Sequence, residues 1–211
     1  MPTPPPALTR GSDGRRRCWW GASTPEYERY HDDEWGRPIT DHRGLYERLT
    51  LEAFQSGLSW LTILRKRDAF RAAFADFEIA AVAQFGARDV KRLMADAGIV
   101  RNRAKIDAAI ANARAAAALQ TPLAELVWSH APGGRRRAPR AREDIPAVTP
   151  ESSALSKELK RLGFRFLGPT TVYATMQACG VVDDHLAGCH VRGAVERERV
   201  TAAATILTRR G

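Results

Sequence analysis

The sequence has no apolar run approaching the roughly 20 residues that a membrane-spanning helix needs, which sets aside an integral helical membrane protein. Cysteine is scarce. Cys18, Cys179 and Cys189 are an odd number and widely spread, which argues against a disulfide framework. The opening stretch MPTPPPALTRGSDGRRR lacks the apolar core of a signal peptide, so a cytoplasmic location is expected. No segment makes a persuasive period-two strand, and no internal repeat is visible, so the expected fold class is all-α. Negative charge is also in deficit: 33 Lys and Arg stand against 24 Asp and Glu, a formal +9. Such a balance points to a polyanionic partner such as nucleic acid. The inference is weakened because Arg135, Arg136, Arg137, Arg140 and Arg142 supply five of those charges from one Pro/Gly-rich stretch that could simply be solvated.

What is present is enough for one domain with a small appendage. Residues 1–14 are Pro-rich and polar and are expected to be a disordered extension. Residues 15–192 form the expected domain, and 193–211 a tail of mixed charge and alanine that is uninformative. The organising stretch is Leu45–Trp60, LYERLTLEAFQSGLSW, read as a helix ending at Gly57. On a 3.6-residue period Leu51, Phe54 and Leu58 share one face, and Glu52, Gln55, Ser56 and Ser59 the neighbouring one. A carboxylate, an amide and two hydroxyls beside an apolar seam, running into Trp60, suit a pocket wall for a flat polar ligand. The alternative is a surface helix with Glu52 in an ion pair to Arg48 one turn earlier.

Local chemistry places the other helices. Thr24-Pro25 and Thr149-Pro150 each combine an N-cap with a proline at the first helical position. Asp41 can cap the central helix and Ser59 the next. Tyr27, Tyr30 and His31 share a face of the first. Short helices are expected over about 78–84 and 87–96. Gly98 then separates that pattern from another helix at about 102–119, which describes a helix–hairpin–helix over about 87–119. The start of its second helix offers backbone amides and a dipole suited to phosphate. Lys91, Arg92, Arg101, Arg103 and Lys105 surround the turn against one acid, Asp96. An ordinary turn with a solvated basic face fits the same residues.

Cys18, His31, His185 and Cys189 are the candidate metal ligands. Two thiolates and two imidazoles suit tetrahedral zinc with no open position. His185 and Cys189 are four apart, so one helical turn could aim both at one ion. Cys179 reads better as a buried small hydrophobe, and His190 points off that face. Isolated cysteines and histidines are also common core residues. An ion here would join the two ends of the domain as a staple, without chemistry of its own.

In order along the chain stand CWW, YHDDEWGRP, LEAFQSGLSWLTILRKR, DAGIVRNRAKI, GFRFLGPTTVYATMQACG and VVDDHLAGC. Together they make the chain resemble the bacterial 3-methyladenine DNA glycosylase I (Tag) family of the helix–hairpin–helix superfamily, over about residues 16–190. The resemblance implies a helix–hairpin–helix glycosylase fold with a structural zinc on Cys18, His31, His185 and Cys189. It places the family's base-pocket glutamate on Glu52. Its pocket aromatics fall on Trp20, Tyr27, Tyr30, Trp35 and Trp60, with Gln55 beside them. It puts the gap-filling turn on Gly57-Leu58 and the hairpin on Gly98–Lys105, so Gly57, Leu58, Gly98, Arg101, Arg103 and Lys105 become the expected DNA contacts. The Pro-rich start, the arginine loop and the tail after Arg192 have no assignable counterpart. A catalytic aspartate after the hairpin, common in the superfamily, is missing; Asp107 is off that pattern, as the Tag family would have it.

The implied activity is monofunctional hydrolysis that releases 3-methyladenine from double-stranded alkylated DNA, by a monomer. Two other classes stay in view: a non-catalytic helix–hairpin–helix DNA-binding module, and a zinc-dependent hydrolase. The module needs no buried carboxylate among aromatics. The hydrolase needs an open ligand position, and four candidate ligands close the shell.

Overall fold

The computed structural model describes residues 7–134 and 136–208. Two short antiparallel strands, β1 (Leu8–Arg10) and β2 (Arg16–Cys18), open the chain, with Leu8 opposite Cys18. Helices follow: α1 (Pro25–Asp33), α2 (His42–Gln55), α3 (Trp60–Ala73), α4 (Ile79–Ala83), α5 (Ala87–Ala95), α6 (Arg103–Ala117), α7 (Leu123–Trp128), α8 (Pro150–Arg161), α9 (Pro169–Ala178) and α10 (Arg192–Thr208). The helical fold expected from the sequence is the fold observed.

Side-chain caps set the starts. Thr24 Oγ1 accepts from Tyr27 N at 3.2 Å, Asp41 Oδ1 from Gly44 N at 2.7 Å and Ser59 Oγ from Thr62 N at 3.2 Å. Asn102 Oδ1 accepts from Lys105 N at 3.1 Å, and Thr149 exchanges bonds with Ser152. Each such cap contributes about 1 kcal/mol. Helix α2 is the axis of the core, packed against α3, α6, α7 and α9. It buries Leu45, Tyr46, Leu49, Leu51 and Phe54. Phe54 meets Phe70 edge-on at 4.8 Å, and Phe74 stacks on Phe77 at 5.7 Å. A helix buried on nearly every side exposes little of itself, so a polar residue on it, such as Glu52, is buried as well.

Both ends of the chain differ from expectation. Residues 1–6 of the expected disordered extension lie outside the described residues, but Leu8–Arg10 pairs with Arg16–Cys18. Leu8 packs against a second apolar cluster of Cys18, Leu186, Cys189, Val191 and Val195. The expected tail is a helix, α10, which contributes Val195 to that cluster and Ile206 to the main core. Burial of those two side chains is what makes this alanine-rich segment a structural element. Among the described residues no helix is long and apolar enough to cross a membrane.

Candidate functional site

A cavity of about 330 Å³ opens where α1, α2, the start of α3 and one face of α9 meet. Its aromatic wall is Trp19 and Trp20 from the link after β2, Tyr27 and Tyr30 from α1, Trp35 just beyond α1, and Trp60 at the first position of α3. Glu52 and Gln55 supply the polar side from α2. Three larger clefts, about 510 Å³ along α10, about 770 Å³ beside Arg137 and about 340 Å³ between Arg140 and Asp184, have no aromatic lining. Of these four spaces among the described residues, the aromatic-lined one is the one that suits a flat heterocycle.

The rings brace one another. Trp20 meets Tyr27 edge-on at 5.6 Å and Trp35 at 5.1 Å, while Tyr30 lies tilted against Trp60 at 5.3 Å. The Tyr27 hydroxyl accepts from Leu61 N at 3.0 Å, tying α1 to the start of α3. Arg48 does not pair with Glu52. It donates to the Tyr30 hydroxyl at 3.0 Å and lies over both Tyr30 and Trp60, at 5.4 and 5.3 Å. A hydroxyl that accepts from Arg48 keeps its own proton free to donate.

Glu52 is 6% exposed, and no hydrogen bond or ion pair reaches its carboxylate among the described residues. Desolvation pushes its pKa up to about 7 against the opposing pull of Arg48. A buried carboxyl facing aromatic rings with no partner of its own is set to receive one from a ligand.

Four cavity residues escaped the sequence reading: Trp19, Ile145, Ala174 and Gln177. Ala174 and Gln177 are three apart on α9 and so share a face, a signal available in GPTTVYATMQACG. Ile145 sits in the arginine-rich segment, where no periodicity marks it. Arg142 of the same segment lies over Trp19 at 5.5 Å. Gln177 Nε2 donates to Asp184 Oδ2 at 3.0 Å, and Tyr173 donates to the same oxygen. That fixes which end of the amide faces Asp184 and leaves its carbonyl as the free acceptor.

Beyond Gln55 the chain turns sharply. Gly57 has φ +82°, a left-handed conformation that disfavours side chains, and Leu58 stands 41% exposed at the turn. Gly98 lies between α5 and α6. Arg101 and Arg103 are exposed there, with Arg103 held to Asp107 at 2.7 Å. Lys105 departs from the exposed basic group expected of it. It is buried, and its ammonium donates to Phe54 O and Ser56 O.

Cys18, His31, His185 and Cys189 converge, all fully or nearly buried. Cys18 Sγ lies 3.7 Å from His185 Nδ1, and Cys189 Sγ lies 3.5 Å from His31 Nε2 and 3.7 Å from His185 Nδ1. Bonds of about 2.0–2.3 Å to tetrahedral zinc imply ligand-to-ligand edges of roughly 3.3–3.8 Å, so the donor set fits. The remaining ring nitrogens are occupied: His31 Nδ1 by Asp32 at 2.7 Å, His185 Nε2 by the carbonyl of Trp35 at 3.0 Å. That outer layer aims Nε2 of one ring and Nδ1 of the other inward. Asp32 is held in turn by Arg17. The Cys18 thiol, by hydrogen bonding, holds Cys189 far below the ordinary thiol range, with His185 and His31 acting the same way. His185 and Cys189 do not share a helical turn as expected. They meet through a loop in which Cys189 N donates to Leu186 O at 2.9 Å and Gly188 takes φ +88°. Gly21 is required as well, since a Cβ there would come within 2.5 Å of the His31 ring. Cys179 is a buried free thiol and His190 pairs with Asp32; neither joins the four.

The family model for methyladenine glycosylase matches residues 19–192. DNA-3-methyladenine glycosylase 1 of Escherichia coli (strain K12) is 46% identical over 179 residues, covering 82% of this chain and 95% of that protein. DNA-3-methyladenine glycosylase of Haemophilus influenzae is 42% identical over 179 residues, covering 82% and 96%. Among solved structures, a crystal structure of 3-methyladenine DNA glycosylase I superposes with a TM-score of 0.79 at 46% identity, covering 82% of this chain and 98% of that one. The Staphylococcus aureus enzyme, solved to explain its recognition of 3-methyladenine, superposes with a TM-score of 0.76 at 38% identity, covering 82% and 94%.

Proposed function

The chain belongs to the methyladenine glycosylase family, and from that membership we propose that it hydrolyses the N-glycosidic bond of 3-methyladenine in alkylated DNA, with the cavity around Glu52 as the base pocket. The observation that carries this reading is a buried, unpartnered carboxylate enclosed by aromatic rings. A base inside a duplex is out of reach, so it must first leave the stack. Methylation at N3 places positive charge on the adenine ring. Aromatic faces attract such a ring by roughly 0.5–2 kcal/mol each, which favours it over neutral adenine. Glu52 accepts hydrogen bonds from the amino edge and stabilises the cation. Tyr30 offers its free hydroxyl proton, and Gln177 its carbonyl.

Water then adds to C1′ and the C1′–N9 bond breaks. The bonding electrons neutralise the base, which leaves uncharged, and the attacking water, now the hydroxyl on C1′, surrenders its extra proton to solvent. Among the described residues no lysine lines the cavity, which supports a sugar not captured by an amine and a strand left uncut. On the DNA side, Leu58 enters the gap left by the extruded nucleotide. Gly98, Arg101 and Arg103, at the start of α6, hold backbone phosphates of double-stranded DNA as a helix–hairpin–helix. The Cys18, His31, His185 and Cys189 set holds zinc as a closed structural site that supplies stability and no reaction step.

The decisive experiment is incubation of the protein with methylated duplex DNA and identification of the released base. Free 3-methyladenine supports the reading; DNA binding with no base released returns the protein to the class of non-catalytic modules. Replacing Leu58 by Gly is expected to slow release from duplex DNA roughly tenfold, about 1.4 kcal/mol of barrier, while affinity for free 3-methyladenine is kept; equal losses in both argue against the wedge. Replacing Gln177 by Leu removes one neutral hydrogen bond to the base along with the tie to Asp184, an expected loss of roughly 2–10-fold in free-base affinity by titration. Unchanged affinity takes Gln177 out of base recognition.

A further inference from the structure

Lys105 occupies the first turn of α6, at the face proposed for phosphate, yet its ammonium is buried against backbone carbonyls. Its Nζ lies 2.9 Å from Phe54 O and 2.5 Å from Ser56 O, carbonyls at the end of α2. The residue is 8% exposed, and among the described residues no carboxylate neutralises it. Burying an ammonium is costly, and an apolar side chain would fill the same space at less expense. The carbonyls it meets are those a helix leaves open at its C-terminus, where the negative end of the dipole favours a cation. So the local charge logic is sound, but the cost calls for a reason.

The reason lies in what the two carbonyls adjoin. Phe54 is two residues beyond Glu52, and Ser56 immediately precedes Gly57 and Leu58. Ser56, Gly57, Leu58 and Ser59 are all exposed, so this turn has little packing of its own to fix it. Its own ties among the described residues are local, Leu58 N to Gln55 O at 2.6 Å and Thr62 N to Ser59 O at 3.1 Å and to Ser59 Oγ at 3.2 Å. Lys105 supplies the long-range anchor, from the helix whose N-cap is Asn102.

We propose that Lys105 is a positioning residue for base extrusion, joining the phosphate-binding start of α6 to the turn that carries Leu58. The inference rests on the assignment of Leu58 and the hairpin to DNA made above. Seating a backbone phosphate at α6 then sets the height of Leu58 above the pocket mouth through a single side chain. Lys105 itself touches neither the base nor the sugar.

The test is Lys105→Met, which keeps the stem and removes the ammonium. Single-turnover release of 3-methyladenine from duplex DNA is expected to fall roughly tenfold, whereas release from single-stranded DNA and affinity for the free base stay within about twofold. Lys105→Met added to Leu58→Gly is expected to cost little more than Leu58→Gly alone, because both act on one step. Equal losses on duplex and single strand, or losses that add fully with Leu58→Gly, overturn the inference and reduce Lys105 to support for α2. Unchanged duplex release overturns it as well. If Lys105→Met does not fold, Lys105→Arg, with the charge kept and the reach altered, is read by the same duplex-against-single-strand comparison. A wild-type protein that releases no base from methylated duplex is a different failure, that of the glycosylase reading itself.

Discussion

Replacing Glu52 by Gln is expected to lower 3-methyladenine release from duplex DNA by roughly 10–100-fold, the equivalent of losing one charge-assisted contact of about 1.5–3 kcal/mol. The amide fills the same volume and can still accept a hydrogen bond, so shape is conserved and charge alone is removed. A cavity walled by rings screens that charge less than bulk water does. The loss should therefore appear in discrimination: affinity for the cationic base falls, and affinity for a neutral analogue of the same shape changes little. Equal loss for both bases would mean that Glu52 acts through hydrogen bonding only, and full activity would remove it from the reaction.

The same carboxyl gives a pH signature. Its pKa is raised from 4.5 to about 7 by burial. The native state therefore holds this proton more tightly than the unfolded chain. Below about pH 4.5 the group is protonated in both states and its burial is least costly. As pH rises from 4.5 towards 7, stability is lost, and above 7 the wild type carries the full cost, about 3 kcal/mol at most. Thermal denaturation should show Glu52→Gln gaining on the wild type between pH 5 and pH 8. Activity runs the other way: kcat/KM of the wild type should rise as the carboxylate forms near pH 7, and the variant should lack that limb. A parallel pH dependence of stability in both proteins would place the ionisation elsewhere.

Much of this site was visible before the structure because its causes are local. Thr24, Asp41, Ser59 and Thr149 are legible as caps because a side-chain oxygen needs an amide only three residues on. Glu52, Gln55 and Trp60 are legible as a wall because helical period alone puts the first two side by side. What was not legible depends on partners distant in sequence. Lys105 in a cluster of arginines reads as a surface cation, and only the end of α2, some 50 residues earlier, reveals it as buried. Val195 and Ile206 look like incidental apolar residues in a charged, alanine-rich tail until the second cluster and the main core give them somewhere to pack. Strands of three residues are too short for an alternating pattern to register. The metal set lies between these cases. Residue type marked the four candidate ligands, but the helical turn assumed for His185 and Cys189 is a loop, since Gly188 permits a backbone that brings them together without one.

Loss of any one of those four ligands is expected to have the second large effect, on stability first. His185→Ala, or prolonged chelation of the wild type, leaves buried thiol and imidazole donors without a partner at the junction of β2, α1 and the segment before α10. By analogy with breaking a buried ionic group, this costs about 3–5 kcal/mol, a fall in Tm of roughly 6–20 °C for a chain of this size. The control is His190→Ala, which touches Asp32 at the exposed side of the cluster and should shift Tm little. The damage should then spread to the pocket along identifiable bonds. His185 Nε2 holds the carbonyl of Trp35, His31 follows Tyr30 in α1, and Cys18 lies two residues before Trp20. Free-base affinity should therefore weaken in the chelated protein at temperatures where the fold is still intact, while the pH limb assigned to Glu52 persists, because α2 is anchored independently by the main core. Elemental analysis finding no metal in the purified wild type, together with a Tm indifferent to chelator, would refute the zinc assignment and leave these four side chains as a packed polar cluster.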